Sequence, residues 1–173
     1  MGKLVVFFFS FMGPRADGHA RIIGMAFPAI SQFGHRPFFQ TALQQRSVQV
    51  SSFGFYLATA GSELHIGGPN NGLFTGSIES HPLSSDRGFW QIGNAHITVN
   101  GKQAVAKFET VIDSGTTIIL GPRDQVASVY SNVPGSKLFD PTTGLYEFPC
   151  DSVPSVSFGW GGREWAVTAE KLV

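Results

Sequence analysis

Asp113-Ser114-Gly115-Thr116-Thr117 is the stretch of this chain where residue type and spacing together point to chemistry. Asp113 follows the apolar pair Val111-Ile112, and an ionised carboxylate at the end of a buried strand is costly unless hydrogen-bond donors meet it. The residues that follow can supply them. Gly115 lets the backbone turn back and present its N–H, and the Thr116 hydroxyl can donate to the same carboxylate and fix its orientation. The chemistry open to a carboxylate held in this way is proton transfer. For the tripeptide Asp-Ser-Gly alone, an Asx-turn closing a strand is the better account. The weight therefore rests on the longer context, Phe108 to Pro122.

Other chemistries find less support. His19, His35, His65, His81 and His96 are scattered, with no His-Glu-x-x-His arrangement and no cysteine pair, so no metal site is implied. Gly67-Gly68 and Gly161-Gly162 lack the lysine and helix start of a phosphate-binding loop, and read as turns. Cys150 is the single cysteine, so it has no internal disulfide partner, and no ordered histidine marks it as a nucleophile. Twelve basic residues balance twelve acidic ones without clustering, which implies neither a nucleic-acid groove nor a membrane surface. No run reaches the roughly 18 apolar residues of a spanning helix.

The elements that must position Asp113 are short. Only 14% of the residues are charged, while 21 glycines and 16 phenylalanines indicate short strands, tight turns and aromatic cores. The fold class expected is mainly β with two short helices. Ile22 to Pro28 reads as a buried strand turning into a loop, and Pro37 as the first position of a helix with Phe38, Phe39, Ala42 and Leu43 on one face. Strands follow at Phe53 to Leu57, around Leu64 and Ile66, and around Ile97 and Val99 before the hairpin turn Asn100-Gly101. Pro122 opens a second helix with Val126, Val129, Tyr130 and Val133 on its apolar side, and two strands flank Gly161-Gly162. Leu4 to Met12 has the character of a weak signal segment, with small residues at Ala16, Gly18 and Ala20, or of a buried strand.

The stretch from Phe108 to Pro122, with Ile112-Asp113-Ser114-Gly115-Thr116-Thr117 and then Ile118-Ile119-Leu120 before Gly121-Pro122, resembles the second active-site loop of pepsin-like aspartic proteases. Further matches in order are Ile22-Ile23-Gly24, Gly61-Ser62-Glu63-Leu64, Phe74-Thr75-Gly76, Gly88-Phe89-Trp90-Gln91, Val99-Asn100-Gly101 and Tyr146 to Cys150; they cover most of the chain from Asp17, closest to secreted fungal members. The resemblance implies a pepsin-like acid protease fold, a polypeptide substrate, extracellular location and no cofactor. Asp113 would be one of two catalytic aspartates that activate a water, a dyad for which pepsin is the standard example. Ser114 would tie the two active-site loops together, Thr116 would brace the carboxylate and Thr117 would face the substrate backbone. Ile22, Ile23 and Gly24 would thread behind the first active-site loop.

The family pattern also needs a first-lobe Asp-Thr-Gly and a flap tyrosine ahead of Ile22, and neither occurs in these residues. The expectation is an incomplete fold: a divergent start over residues 1–20, a first-lobe remnant and inter-lobe strand over 21–59, and a truncated second lobe over 60–173. Cys150 matches a family cysteine whose partner would lie beyond Val173. Such a chain is expected to be inactive alone and to self-associate through exposed lobe surface. The alternative is a non-catalytic β-domain that binds peptides or protease partners, against which the intact Asp113, Gly115 and Thr116 argue.

Overall fold

A computed structural model describes residues 10–13, 21–116 and 118–172; the apolar start at Leu4 to Phe9, the small residues at Ala16, Gly18 and Ala20, and Thr117 lie outside the described residues. In chain order, β1 (Ser10–Gly13) pairs antiparallel with β2 (Arg21–Gly24), and a 3-10 turn at Pro28–Ile30 leads to α1 (Phe38–Gln44). Next, β3 (Phe53–Tyr56) pairs antiparallel with β4 (Glu63–Ile66). The long hairpin β5 (Gln91–Val99) and β6 (Lys102–Val111) then leads past Asp113 to α2 (Arg123–Tyr130). A small hairpin of β7 (Lys137–Asp140) and β8 (Leu145–Glu147) precedes β9 (Val156–Gly159) and β10 (Glu164–Val167). The largest sheet has the order β10-β9-β5-β6, and the described chain is mainly β, as its composition implies.

The long hairpin is fixed at its tip. Asn100 and Gly101 have φ of 50° and 77°, the left-handed pair that a two-residue turn requires. The Asn100 side chain also donates to the Asn132 carbonyl and accepts from the Ser155 N–H, joining the tip to the end of α2 and the start of β9. Midway down the hairpin the register shifts where Asn94 and Lys107 adopt φ of 60° and 58°. These left-handed residues mark a bulge, which increases the twist and blunts the outer edge of β6.

Both helices begin one residue later than expected, because Pro37 and Pro122 keep extended ψ and precede the first helical residue. Phe39 is buried while Phe38 stays half exposed, so only part of the apolar face of α1 is core. Val133 lies beyond α2, yet the turn that follows the helix buries it with Val99 and Val156. Ile97, Tyr130, Phe148 and Phe158 pack around these three. A second cluster gathers Met25, Phe27, Phe39, Phe53 and Trp90, with ring centroids of Phe27 and Phe53 at 4.6 and 5.4 Å from Trp90.

Candidate active site

The strand β6 delivers Asp113 to its place. Just after the strand ends, the Ile112 N–H donates to the Trp90 carbonyl at 3.0 Å, so the backbone is still tied when it reaches the carboxylate. Asp113 Oδ1 accepts from the Gly115 N–H at 2.7 Å, and Oδ2 accepts from the Thr116 hydroxyl at 2.9 Å. Both carboxylate oxygens are thereby oriented by groups two and three residues away. The Ser114 hydroxyl is buried and has no hydrogen-bond partner among the described residues. Beyond the loop, Ile118, Ile119 and Leu120 are exposed, Ile119 to 64%. Thr117 lies outside the described residues.

The same two hydrogen bonds occur at a second place. Asp140 accepts from the Thr142 N–H at 2.8 Å and from the Thr143 hydroxyl at 2.6 Å, the same offsets of two and three residues on the same two oxygens. The Thr143 hydroxyl, and then the Thr142 N–H, hold the Asp140 carboxyl below the usual aspartate range. This turn closes a small hairpin and shows that the clamp alone does not define a catalytic carboxylate. The difference lies one residue on: Asp140 is followed by Pro141, Asp113 by a serine whose buried hydroxyl has no partner among the described residues.

Ile22, Ile23 and Gly24 lie in β2, opposite Met12, Phe11 and Ser10 of β1. Ile23 and Gly24 line an apolar cavity of about 690 Å³ together with Ala26, Phe27, Ile30 and Phe38. No atom of the described residues lies within 4 Å of where a Cβ at Gly24 would stand. The route from this segment to Asp113 runs through Trp90. Its indole donates to the Met25 carbonyl at 3.0 Å, and its own carbonyl holds Ile112. Trp90 enters the sequence reading only as part of a matching segment; its bridging role depends on contacts between residues 65 positions apart.

One further polar residue supports the strand behind the loop. Thr110, only 3% exposed, donates to the Ile92 carbonyl at 3.0 Å and accepts from the Trp160 indole at 2.8 Å. Thr110→Val keeps the shape but leaves the indole N–H unpaired, and is expected to lower stability by roughly 1–3 kcal/mol. A urea titration that finds no change in midpoint would show that the indole bond contributes nothing.

Residues 10–173 match the family model for eukaryotic aspartyl protease. The chain belongs to that family. It is 35% identical over 164 residues to an aspartic protease of Phaffia rhodozyma, an alignment covering 91% of this chain and 40% of that protein. With secreted aspartyl protease 1 of Malassezia globosa it shares 34% over 148 residues, covering 83% of the chain and 36% of the relative. Cathepsin D of Bos taurus is 31% identical over 170 residues, 92% of the chain and 42% of the relative. The chain thus spans about 40% of the length of the curated aspartyl proteases it matches. Its antiparallel hairpins and two short helices are those of a partial pepsin-like fold.

Proposed function

We propose that the chain contributes the second catalytic half of an aspartic endopeptidase, with Asp113 as one of the two carboxylates. One carboxylate of such a pair takes a proton from water as the water oxygen attacks the peptide carbonyl, and the leaving amine then receives a proton. Gly115 and Thr116 hold the Asp113 oxygens in a fixed direction, Thr117 is assigned to substrate binding, and Ile22-Ile23-Gly24 braces the opposing half. The observation that carries this reading is the Ser114 hydroxyl: buried, without a partner among the described residues, and adjacent to an oriented carboxylate. A buried hydroxyl without a partner is costly, and an opposing active-site loop would supply that partner.

In this reading residues 21–59 belong to the end of the first lobe and 60–173 to the second, joined by the β3–β4 pair and by Trp90. The substrate is a polypeptide and the location extracellular, as the name of the Malassezia globosa relative implies for that protein. The exposed Ile118, Ile119 and Leu120 support a second reading, a β-domain that binds peptides or associates with another protease chain or with itself.

The test is cleavage of a denatured protein at acid pH by the isolated 173-residue chain, with a transition-state inhibitor and Asp113→Ala as controls. These residues hold one Asp-Ser-Gly-Thr loop and no second, so no cleavage above the variant is expected. Inhibitor-sensitive cleavage that Asp113→Ala removes would instead establish a site made by two copies. Saturable peptide binding unaffected by Asp113→Ala would favour the non-catalytic reading.

A further inference from the structure

The edge strand β10 is fastened from both faces by carboxylates. Along a strand successive side chains point to opposite faces, so Glu164 and Trp165 diverge. On the Trp165 side stands Glu79, from the loop that follows Gly76. Its carboxylate accepts from the Arg163 N–H at 3.0 Å and bonds His81 Nε2 at 2.6 Å, with the Trp165 side chain beside it. The Arg163 guanidinium donates to Ser77 at 2.7 Å and ties the same loop to the hairpin. On the other face Glu164 bonds His96 of β5 and accepts from the Ser157 hydroxyl of β9. His96 and Glu164 both register with Gly159, so the imidazole crosses β9 over a residue without a side chain. A Cβ at Gly159 would collide with the ring.

We propose that β10 is an acid-released edge strand, clamped from its two faces by ionised Glu79 and Glu164 and freed from β9 when both are protonated. Beyond its antiparallel ladder with β9, few contacts among the described residues hold it. Glu164, Trp165 and Ala166 are exposed, only Val167 is partly covered, and β10 has a single strand neighbour. A segment with few buried apolar contacts opens locally at low cost, so the polar clamps have a large share in its attachment. The titratable group that faces Glu79 is His81, with Arg163 meeting it through its backbone N–H, and His96 faces Glu164; the other neighbours are Trp165 beside Glu79 and Ser157 and Thr98 beside Glu164.

The direction of the pH dependence follows from these groups. The Arg163 N–H, and then His81, hold the Glu79 carboxyl below its ordinary value of 4.5, and the Ser157 hydroxyl, then His96, do the same for Glu164. A depressed carboxyl stabilises the folded arrangement above the unfolded value, and that contribution is lost as pH falls through the lower folded value. Release therefore occurs below pH 4.5, on the acid side of the ordinary glutamate range. It bares the outer edge of β9, whose unpaired N–H and C=O groups can accept a strand from another chain.

Hydrogen exchange of the 173-residue chain, corrected for the intrinsic pH dependence of exchange, tests this at about pH 6 and about pH 3.5. The amides of β10 are expected to lose protection roughly tenfold more than those of β5 and β6. The double variant Glu79→Gln/Glu164→Gln should show released β10 already at the higher pH, with no further change on acidification. Equal loss of protection in β10 and in β5–β6, or a double variant that keeps the wild-type pH response, overturns the proposal. If the double variant does not fold, the wild type and E164Q decide by the same comparison between strands.

Discussion

Asp113→Ala is expected to lower kcat/KM by about 10²–10⁴-fold in a chimera where this chain replaces the 164 matching residues of the Phaffia rhodozyma protease. The chimera supplies the remaining length that this chain does not span, so it asks whether Asp113 functions once an opposing half is present. Asp140→Ala is the matched control. It removes a carboxylate with the same two local hydrogen bonds, and is expected to leave kcat/KM unchanged because Pro141 offers no hydroxyl to a partner loop. Peptide cleavage assayed with both variants decides. Equal losses would mean that the clamp serves folding at both places, and an active Asp113→Ala chimera would remove Asp113 from the chemistry.

Gly88→Ala is expected to destabilise the chain by roughly 2–4 kcal/mol. Gly88 has φ of +96°, a conformation that disfavours any side chain, and its carbonyl accepts from the Phe27 N–H at 3.2 Å. A Cβ there would stand 3.1 Å from both Ala29 Cβ and Ile30 Cγ2. Backbone strain and overpacking therefore add at one position, two residues before Trp90 and the contacts that connect Met25 to Ile112. Thermal unfolding of the variant measures the cost, and a midpoint within error of wild type would mean that the 3-10 turn at Pro28–Ile30 can move aside freely. A loss of the Phe27–Trp90 contact, read from tryptophan fluorescence, should accompany the destabilisation.

Much of the frame around Asp113 is legible because it is written in local signals. Asn100-Gly101 announces the β5–β6 hairpin, since few other residue pairs accept two left-handed positions. Pro37 and Pro122 place both helices to within a residue. The bulge is only half marked: Gly93 beside Asn94 is a local signal for it, whereas Lys107 adopts left-handed backbone among ordinary strand residues. The β7–β8 hairpin is marked only at its turn, by Asp140-Pro141 and Gly144. Its exposed Leu138, Phe139 and Leu145 give no inward-outward alternation, and it is held from outside, by Arg123 donating to the Pro141 and Thr142 carbonyls and by Tyr146 stacked on Tyr130.

The candidate site divides in the same way. The bonds from Gly115 and Thr116 to Asp113 follow from spacing over three residues, whereas the positions of Trp90 and Thr110 depend on partners far along the chain. Asp140 is the instructive case. Pro141 breaks the Asp-Ser-Gly pattern and sets this aspartate aside on sequence, but the bonding groups are the N–H two residues on and the hydroxyl three residues on, and these are present.

The twin clamps at Asp113 and Asp140 show that this carboxylate geometry is autonomous, complete within four consecutive residues wherever the chain makes the turn. Preorganisation is therefore settled during the folding of one half. Were an opposing half to dock as proposed, the aspartate would not have to surrender rotamer freedom at that moment, and the ordering cost of association would fall on other groups. In the proposed two-part site, the rate at which the dyad assembled would then be governed by docking rather than by rearrangement of the Asp113 carboxylate.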